Sequence, residues 1–260
     1  MDYGKTSDVG KVRLENQDAL ATFVNDDFSL LILCDGMGGH YGGGLASSIA
    51  INVFDKEFRK SLPKLDENYK VQTYIDWFKK TVSQAKKEMI KISDKDEAKL
   101  DMGTTVTGAL ICEKAKFIVI FNIGDSRTYI LTTYGEIKQI TIDHNYLNQL
   151  ISQGVPEIEA KKFRNQASLT SALGPDKKTK IEIFTIDSKD FDSIYAIVST
   201  SDGTHDFINK PILEAMLRKN ESAQKLSSEI VNYALDNHST DNASCGIVIL
   251  DNKPVWRKKW

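Results

Sequence analysis

Three cysteines, Cys34, Cys112 and Cys245, occur in 260 residues, and no two of them form a C-x-x-C pair. So odd and sparse a set excludes a disulfide framework and fits a reducing compartment. The four histidines, at 40, 144, 205 and 238, show no zinc-ligand spacing with one another or with the cysteines, which argues against a zinc protein. No apolar run approaches the ~20 residues of a membrane span; the longest, such as 117–121, have the length of a strand. The opening MDYGKTSDVGKVRLENQDA lacks the apolar centre of a signal peptide. A formal net charge of -2 offers no pull toward nucleic acid or an anionic membrane. No linker, low-complexity tract or repeat interrupts the chain, so residues 1–260 read as one cytoplasmic domain.

Hydrophobic residues at 41% and charged residues at 27% describe an ordinary globular protein. Residues 19–24 and 28–34 flank the turn Asn25-Asp26-Asp27 and predict a hairpin. Runs at 104–112, 116–123, 127–132 and 136–141 follow with connections too short for a helical crossover, so these strands are antiparallel. Further strands are expected at 181–186, 193–199 and 243–250. Apolar residues recur at three- and four-residue steps through Leu45, Ile49, Val53, Phe54 and Phe58, and again from Val71 to Ile92. Shorter helical patterns fall at 212–217 and 223–235. Helix pairs in two blocks around antiparallel strands predict an α+β sandwich, sheet on sheet with helices outside.

The densest local feature is Asp35-Gly-Met-Gly-Gly-His-Tyr-Gly-Gly-Gly44, directly after a buried-looking strand. Glycines there let the backbone turn tightly and let other groups reach its carbonyls and amides. It is not a Walker loop, which needs Lys-Ser/Thr where the chain runs on to Leu45, and Tyr41 stands where a dinucleotide fingerprint needs glycine. Asp35 shares its setting at a strand end with Asp18, Asp125, Asp202 and Asp241. One such aspartate is an ordinary turn residue. Five converging on one sheet rim would repel and raise each other's pKa unless a divalent cation intervened. All-oxygen ligation selects a hard ion such as Mg²⁺ or Mn²⁺. Two such ions balance Asp18, Asp35, Asp202 and Asp241, leaving a phosphate dianion for the guanidinium fork of Arg13. The chemistry indicated is metal-dependent hydrolysis of a phosphate ester.

In order along the chain stand Ser7-Asp-Val-Gly10, Arg13, Asn16-Gln-Asp18, Asp35-Gly-Met-Gly-Gly39, Gly103-Thr-Thr105, Gly124-Asp-Ser-Arg127, Asp143-His144, Leu169-Thr-Ser-Ala-Leu-Gly174, Ser201-Asp-Gly203 and Asp241-Asn242. The series resembles the type-2C (PPM) family of metal-dependent serine/threonine protein phosphatases, in its compact bacterial form. The resemblance implies two antiparallel sheets flanked by pairs of antiparallel helices, and hydrolysis of phosphoserine and phosphothreonine. It implies two core Mn²⁺ or Mg²⁺ ions bridged by Asp35, with the Gly36 carbonyl on one and Asp202 and Asp241 on the other. Asp18 would hold coordinated water, and Asp125 with Asp202 would take a weaker third ion. A metal-bridging hydroxide would attack phosphorus while Arg13 orients the phosphate. The implied partners are phosphoproteins, targets of a serine/threonine kinase, met by a monomer.

The sequence departs from the wider family at three places. Met37 replaces a histidine proposed to protonate the leaving group, which leaves His40 as the candidate acid; Gln17 replaces a common Glu; Ser171 replaces an Arg common among bacterial relatives. Residues 145–173 form the expected flap beside the site. A cysteine phosphatase needs C-x5-R, but at that spacing Cys34, Cys112 and Cys245 are followed by His40, Ile118 and Asp251. The alternative is a catalytically silent member that binds phosphoproteins; such a member is expected to have lost metal-binding aspartates, whereas this chain has all of them and Arg13. The basic, aromatic end Trp256-Arg-Lys-Lys-Trp260 is read as a tail whose tryptophans pack on the domain.

Overall fold

The computed structural model describes residues 1–38 and 42–257, and its central strands are buried on both faces while its long helices bury one side. The strands are β1 (Asp2–Asp8), β2 (Ala19–Val24), β3 (Ser29–Cys34), β4 (Gly36–Met37), β5 (Gly103–Thr104), β6 (Val106–Cys112), β7 (Phe117–Ile123), β8 (Arg127–Thr132), β9 (Ile137–Gln139), β10 (Glu182–Ile186), β11 (Ile194–Thr200) and β12 (Ala243–Ile249). Two five-stranded antiparallel sheets result, ordered β1-β12-β11-β8-β9 and β10-β7-β6-β3-β2, with β4 and β5 as a separate small pair.

Leu31, Ala109, Ile111, Ile118, Ile120, Ile197 and Val248 face inward between the sheets. Their sequence neighbours Leu30, Ile32, Leu110, Val119 and Phe121 face outward under α1 (Gly42–Lys60) and α2 (Val71–Ser93). Strands covered on both faces are buried throughout, as in β6, β7, β11 and β12, which is why they read as continuous apolar runs. Aromatic stacking anchors the helices: the Phe78 and Phe121 ring centroids lie 4.1 Å apart. Truncating such a buried Phe to Ala costs about 3–5 kcal/mol.

Four short helices follow: α3 (Tyr146–Ser152), α4 (Glu157–Ala160), α5 (Ser188–Phe191) and α6 (Asp202–His205). The first two lie in the expected flap. The last helices, α7 (Lys210–Leu217) and α8 (Ala223–Asp236), cover the first sheet through Leu213, Met216, Leu226, Ile230 and Ala234. Asn209 and Ser222 cap them, their side chains accepting from Ile212 and Lys225 N–H. The layers are therefore helix, sheet, sheet, helix, as expected. Among the described residues, no helix is long and apolar enough to cross a membrane.

The structure corrects the sequence reading in several places: the strand expected at 104–112 divides into β5, paired with β4, and β6, and the short helices α3 to α6 were not expected. β1 was not expected, and the helix expected to begin near Leu45 already begins at Gly42. Gly43 lies so close to β4 that a Cβ there would meet Gln17 Oε1 at 2.6 Å and the Gly36 backbone at 2.7 Å. These glycines let the helix approach the strand rather than lengthen a loop. At the other end, Trp256 packs edge-on to Tyr195, centroids 5.0 Å apart, and donates to Arg218 O, as read for the tail; Trp260 lies outside the described residues.

Candidate active site

The candidate aspartates are carried by strand ends on both sheets. Asp35 follows β3, and its backbone is held by the Gly103-Thr-Thr105 segment. Asp35 N–H donates to Thr105 Oγ1 at 2.9 Å, Thr105 N–H donates to Asp35 O at 2.8 Å, and Thr104 Oγ1 donates to the same carbonyl at 2.9 Å. Asp125 sits in the turn between β7 and β8, and Asp202 opens α6 just after β11. Asp241 immediately precedes Asn242, whose side chain ties the Arg13 loop in place. Its Nδ2 donates to Val9 O and Glu15 O, each at 2.9 Å, and its Oδ1 accepts from Gln17 N–H at 2.8 Å.

A pocket of about 250 Å³ is lined by Arg13, Gln17, Asp35, Gly36, Asp125, Asp202 and Asp241, with Met37, Gly38, Thr105 and Leu169. Six expected site residues, Arg13, Asp35, Gly36, Asp125, Asp202 and Asp241, thus meet. Asp18 does not line the pocket; its Oδ2 accepts from Ser201 Oγ at 2.8 Å and Ser244 Oγ at 2.6 Å. His40 lies outside the described residues. Arg13 Nη2 donates to Asp241 Oδ2 at 2.6 Å, so the guanidinium rests on a carboxylate. Of the three departures, Met37 and Gln17 line the pocket. Ser171 does not: its hydroxyl accepts from Lys180 N–H at 2.8 Å and donates to Lys180 O at 3.2 Å.

The electrostatics of the pocket are unbalanced. Burial, then the charges of Asp18, Asp202, Asp125 and Asp241, push the Asp35 carboxyl well above its ordinary value. Asp35 keeps some contact with the pocket, yet protein packs closely enough around it to strip most of its water. Asp18 is pushed up to about 7, by burial first and by Asp202 and Asp241, against hydrogen bonds from Ser244 and Ser201. Asp125 is also raised to about 7, by burial and then Asp202. Asp202 is raised by burial, then by the charges of Asp241 and Asp206. Among the described residues Arg13 is the single cationic side chain lining the pocket.

As they stand, no three of the described Asp, Glu, His or Cys side chains are gathered tightly enough to hold an ion. Asp241 has an oxygen engaged by Arg13. The donor set still fits a hard divalent cation. It is all oxygen, anionic in excess and desolvated, and it includes a Gly36 carbonyl at a position where a Cβ would come within 2.3 Å of Gly43 O.

A sequence model described as protein phosphatase 2C matches residues 11–241. The chain belongs to the protein phosphatase 2C family. Its similarity to other 2C-family proteins runs nearly end to end. It is 26% identical over 247 residues to the serine/threonine phosphatase stp of Listeria monocytogenes serotype 4b, covering 94% of each chain. It is 26% identical to protein phosphatase PhpP of Streptococcus pneumoniae serotype 2, covering 97% of this chain and 99% of that one. The crystal structure of serine/threonine phosphatase Stp1 from Staphylococcus aureus superposes with a TM-score of 0.82 at 29% identity, covering 96% of each chain.

Several residues at this 2C-family site had no assigned role in the sequence. Thr104, Thr105 and Asn242 stood within the quoted motifs, and the structure shows them gripping the backbones that carry Asp35 and Arg13. Ser244 gave no signal, because what it touches, Asp18, is 226 residues away.

Proposed function

We propose that this 2C-family phosphatase hydrolyses phosphoserine and phosphothreonine in proteins phosphorylated by a serine/threonine kinase, with Mn²⁺ or Mg²⁺ as cofactor. The observation that carries the reading is the pocket itself, four aspartates and one arginine on a desolvated wall. Bound divalent cations would supply the charge that keeps these carboxylates ionised, and would acidify the water that serves as nucleophile. Asp35, on which the charges of Asp18, Asp202, Asp125 and Asp241 act, would serve two ions, with the Gly36 carbonyl beside it. Asp202 and Asp241 would complete one ion's set, and Asp125 with Asp202 would take a weaker third. Asp18, which does not line the pocket, would orient water rather than touch an ion. Arg13 has one guanidinium nitrogen on Asp241 and lines the pocket, where it would hold the phosphate and offset charge gathering on its oxygens.

The test is turnover of phosphoserine, phosphothreonine and phosphotyrosine peptides with Mn²⁺ and then with EDTA. We expect cleavage of the first two with metal and none after chelation. Undiminished cleavage in EDTA, with metal absent by elemental analysis, would contradict the reading.

A further inference from the structure

The turn that presents Asp125 is held by a histidine to which the reaction assigns no part. Gly124 has φ +106, and a Cβ there would meet Thr105 Cγ2 at 2.6 Å. The backbone is thus in a conformation that side-chain-bearing residues rarely adopt, and it persists because its neighbours hold it. Gly124 N–H donates to His144 Nδ1 at 3.1 Å, and His144 N–H donates back to Gly124 O at 2.9 Å. Asn122 Nδ2 donates to the same carbonyl at 2.9 Å. Since an amide N–H can only donate, Nδ1 must be the bare nitrogen and the ring proton must sit on Nε2.

What holds that proton in place is also present. His144 is 4% exposed, and its Nε2 lies 3.2 Å from Glu182 Oε2. The pair is within hydrogen-bonding distance but imperfectly aligned, and neither atom has another hydrogen-bond partner among the described residues. Glu182 stands on β10 directly across from Asn122 on β7, so the strand register that places the carboxylate also places the amide gripping Gly124. Burial keeps His144 below its ordinary pKa despite Glu182, so the ring is neutral at pH 7. The backbone of His144 also anchors the flap: His144 O accepts from Thr170 N–H at 2.8 Å, one residue beyond Leu169 of the pocket wall.

We infer that His144, as the Nε2–H tautomer oriented by Glu182, is a positioning residue that sets Asp125 for its cation. The inference rests on the proposed role of Asp125. Groups that orient a metal ligand in this indirect way typically govern affinity or activity about ten- to a hundredfold.

Two amide substitutions, each reproducing one ring nitrogen's position, separate this role from packing. In His144→Asn the amide oxygen falls where Nδ1 was and still accepts from Gly124; in His144→Gln the amide reaches Glu182 but leaves the Gly124 N–H without its acceptor. Calorimetric Mn²⁺ titration should show the weakest site kept in His144→Asn and lost in His144→Gln, with the tighter sites intact in both. Phosphopeptide kcat should stay near wild type in His144→Asn and fall about ten- to a hundredfold in His144→Gln at similar KM. Losses equal in both variants and tracking their melting temperatures would make His144 a packing residue and overturn the inference, as would a weakest site retained in His144→Gln. Ring ¹⁵N shifts of the wild-type protein, which carry no folding risk, should report a bare Nδ1 and a protonated Nε2 at neutral pH; the opposite tautomer or an imidazolium overturns it equally. Asp125→Ala, run alongside, tells the two failures apart. If it keeps the weakest site and full turnover, the reading of Asp125 falls and the inference with it. If it loses both while His144→Gln does not, the inference alone falls.

Discussion

The guanidinium of Arg13 has two acceptors to choose between, Asp241 in the structure and a phosphate in the proposed reaction. Its side chain is 53% exposed and its ion pair with Asp241 is half open to water, so that pair contributes only about 0–1 kcal/mol and can be given up. A hydrogen bond to a charged group is worth about 1.5–3 kcal/mol. Arg13→Ala should therefore raise KM for a phosphopeptide about ten- to a hundredfold while the melting temperature barely moves. Steady-state kinetics beside a thermal melt check this; an unchanged KM would point to another cation, and Lys11, held on Asp236, is the nearest in sequence. At this scale Asp35, Asp125, Asp202 and Asp241 were legible as strand-end aspartates, because a turn places such residues on a sheet rim whatever the details. The position of Asp18 outside the pocket lining was not, because it depends on Ser201 and Ser244, hydroxyls from two distant strand ends.

Between the elements, a chain of hydroxyls crosses the interior from one sheet to the other. Thr107 on β6 pairs with Thr128 on β8 at 2.9 Å, and Thr128 pairs with Ser199 on β11 at 2.8 Å. All three are fully buried. Thr128→Val keeps the shape but takes the partner from the Ser199 hydroxyl and leaves Thr107 only its longer bond to Phe121 O at 3.3 Å, so it should cost about 1–3 kcal/mol, read as a lower urea midpoint at unchanged slope. A midpoint equal to wild type would show that the hydroxyls find other partners. Nothing in the sequence signalled this ladder, since threonine in a strand is common whichever way it points. Strands with a clear apolar run were found close to their observed bounds: residues 127–132 coincide with β8, and 19–24 with β2. β1 escaped because Asp-Tyr-Gly-Lys-Thr-Ser-Asp has almost no apolar pattern. What makes it a strand is a partner, seven register pairs from Asp2↔Ile249 to Asp8↔Ala243, and α8 laid so close that a Cβ on Gly4 would strike the Ala223 backbone at 2.1 Å.

Across the whole molecule, the folded state carries an electrostatic cost concentrated at one end of the sandwich. Asp18 and Asp125 titrate near 7 in the folded chain and near 3.8 when unfolded, and Asp35 and Asp202 are raised as well. Between these limits the folded state binds more protons, so the metal-free protein loses stability as pH rises from about 4 to about 7. His144 and His205, held below their ordinary values by burial, act oppositely below about pH 6.5, but the four carboxylates outnumber them. EDTA-treated protein should therefore melt higher at pH 6 than at pH 8. With saturating Mn²⁺ the order should reverse, because ligating carboxylates must be ionised. For a chain of this size each kcal/mol moves the melting temperature by about 2–4 °C, well within calorimetric resolution. A metal-free melt that rose with pH would show that the acidic cluster is not strained. The α-β-β-α layering itself was legible, because strand connections too short for crossovers and helix patterns in two blocks leave few arrangements that bury every apolar face.

The central claim, that these aspartates exist to gather cations for phosphate hydrolysis, is tested most directly by turnover of a phosphothreonine peptide across a Mn²⁺ titration, in wild type and in Asp35→Asn. An amide at this position relieves the repulsion but serves neither ion. The account predicts saturable activation of the wild type, and a variant that folds with a higher metal-free melting temperature yet shows no turnover at any Mn²⁺ concentration. Wild-type turnover by Asp35→Asn at saturating Mn²⁺ would contradict it.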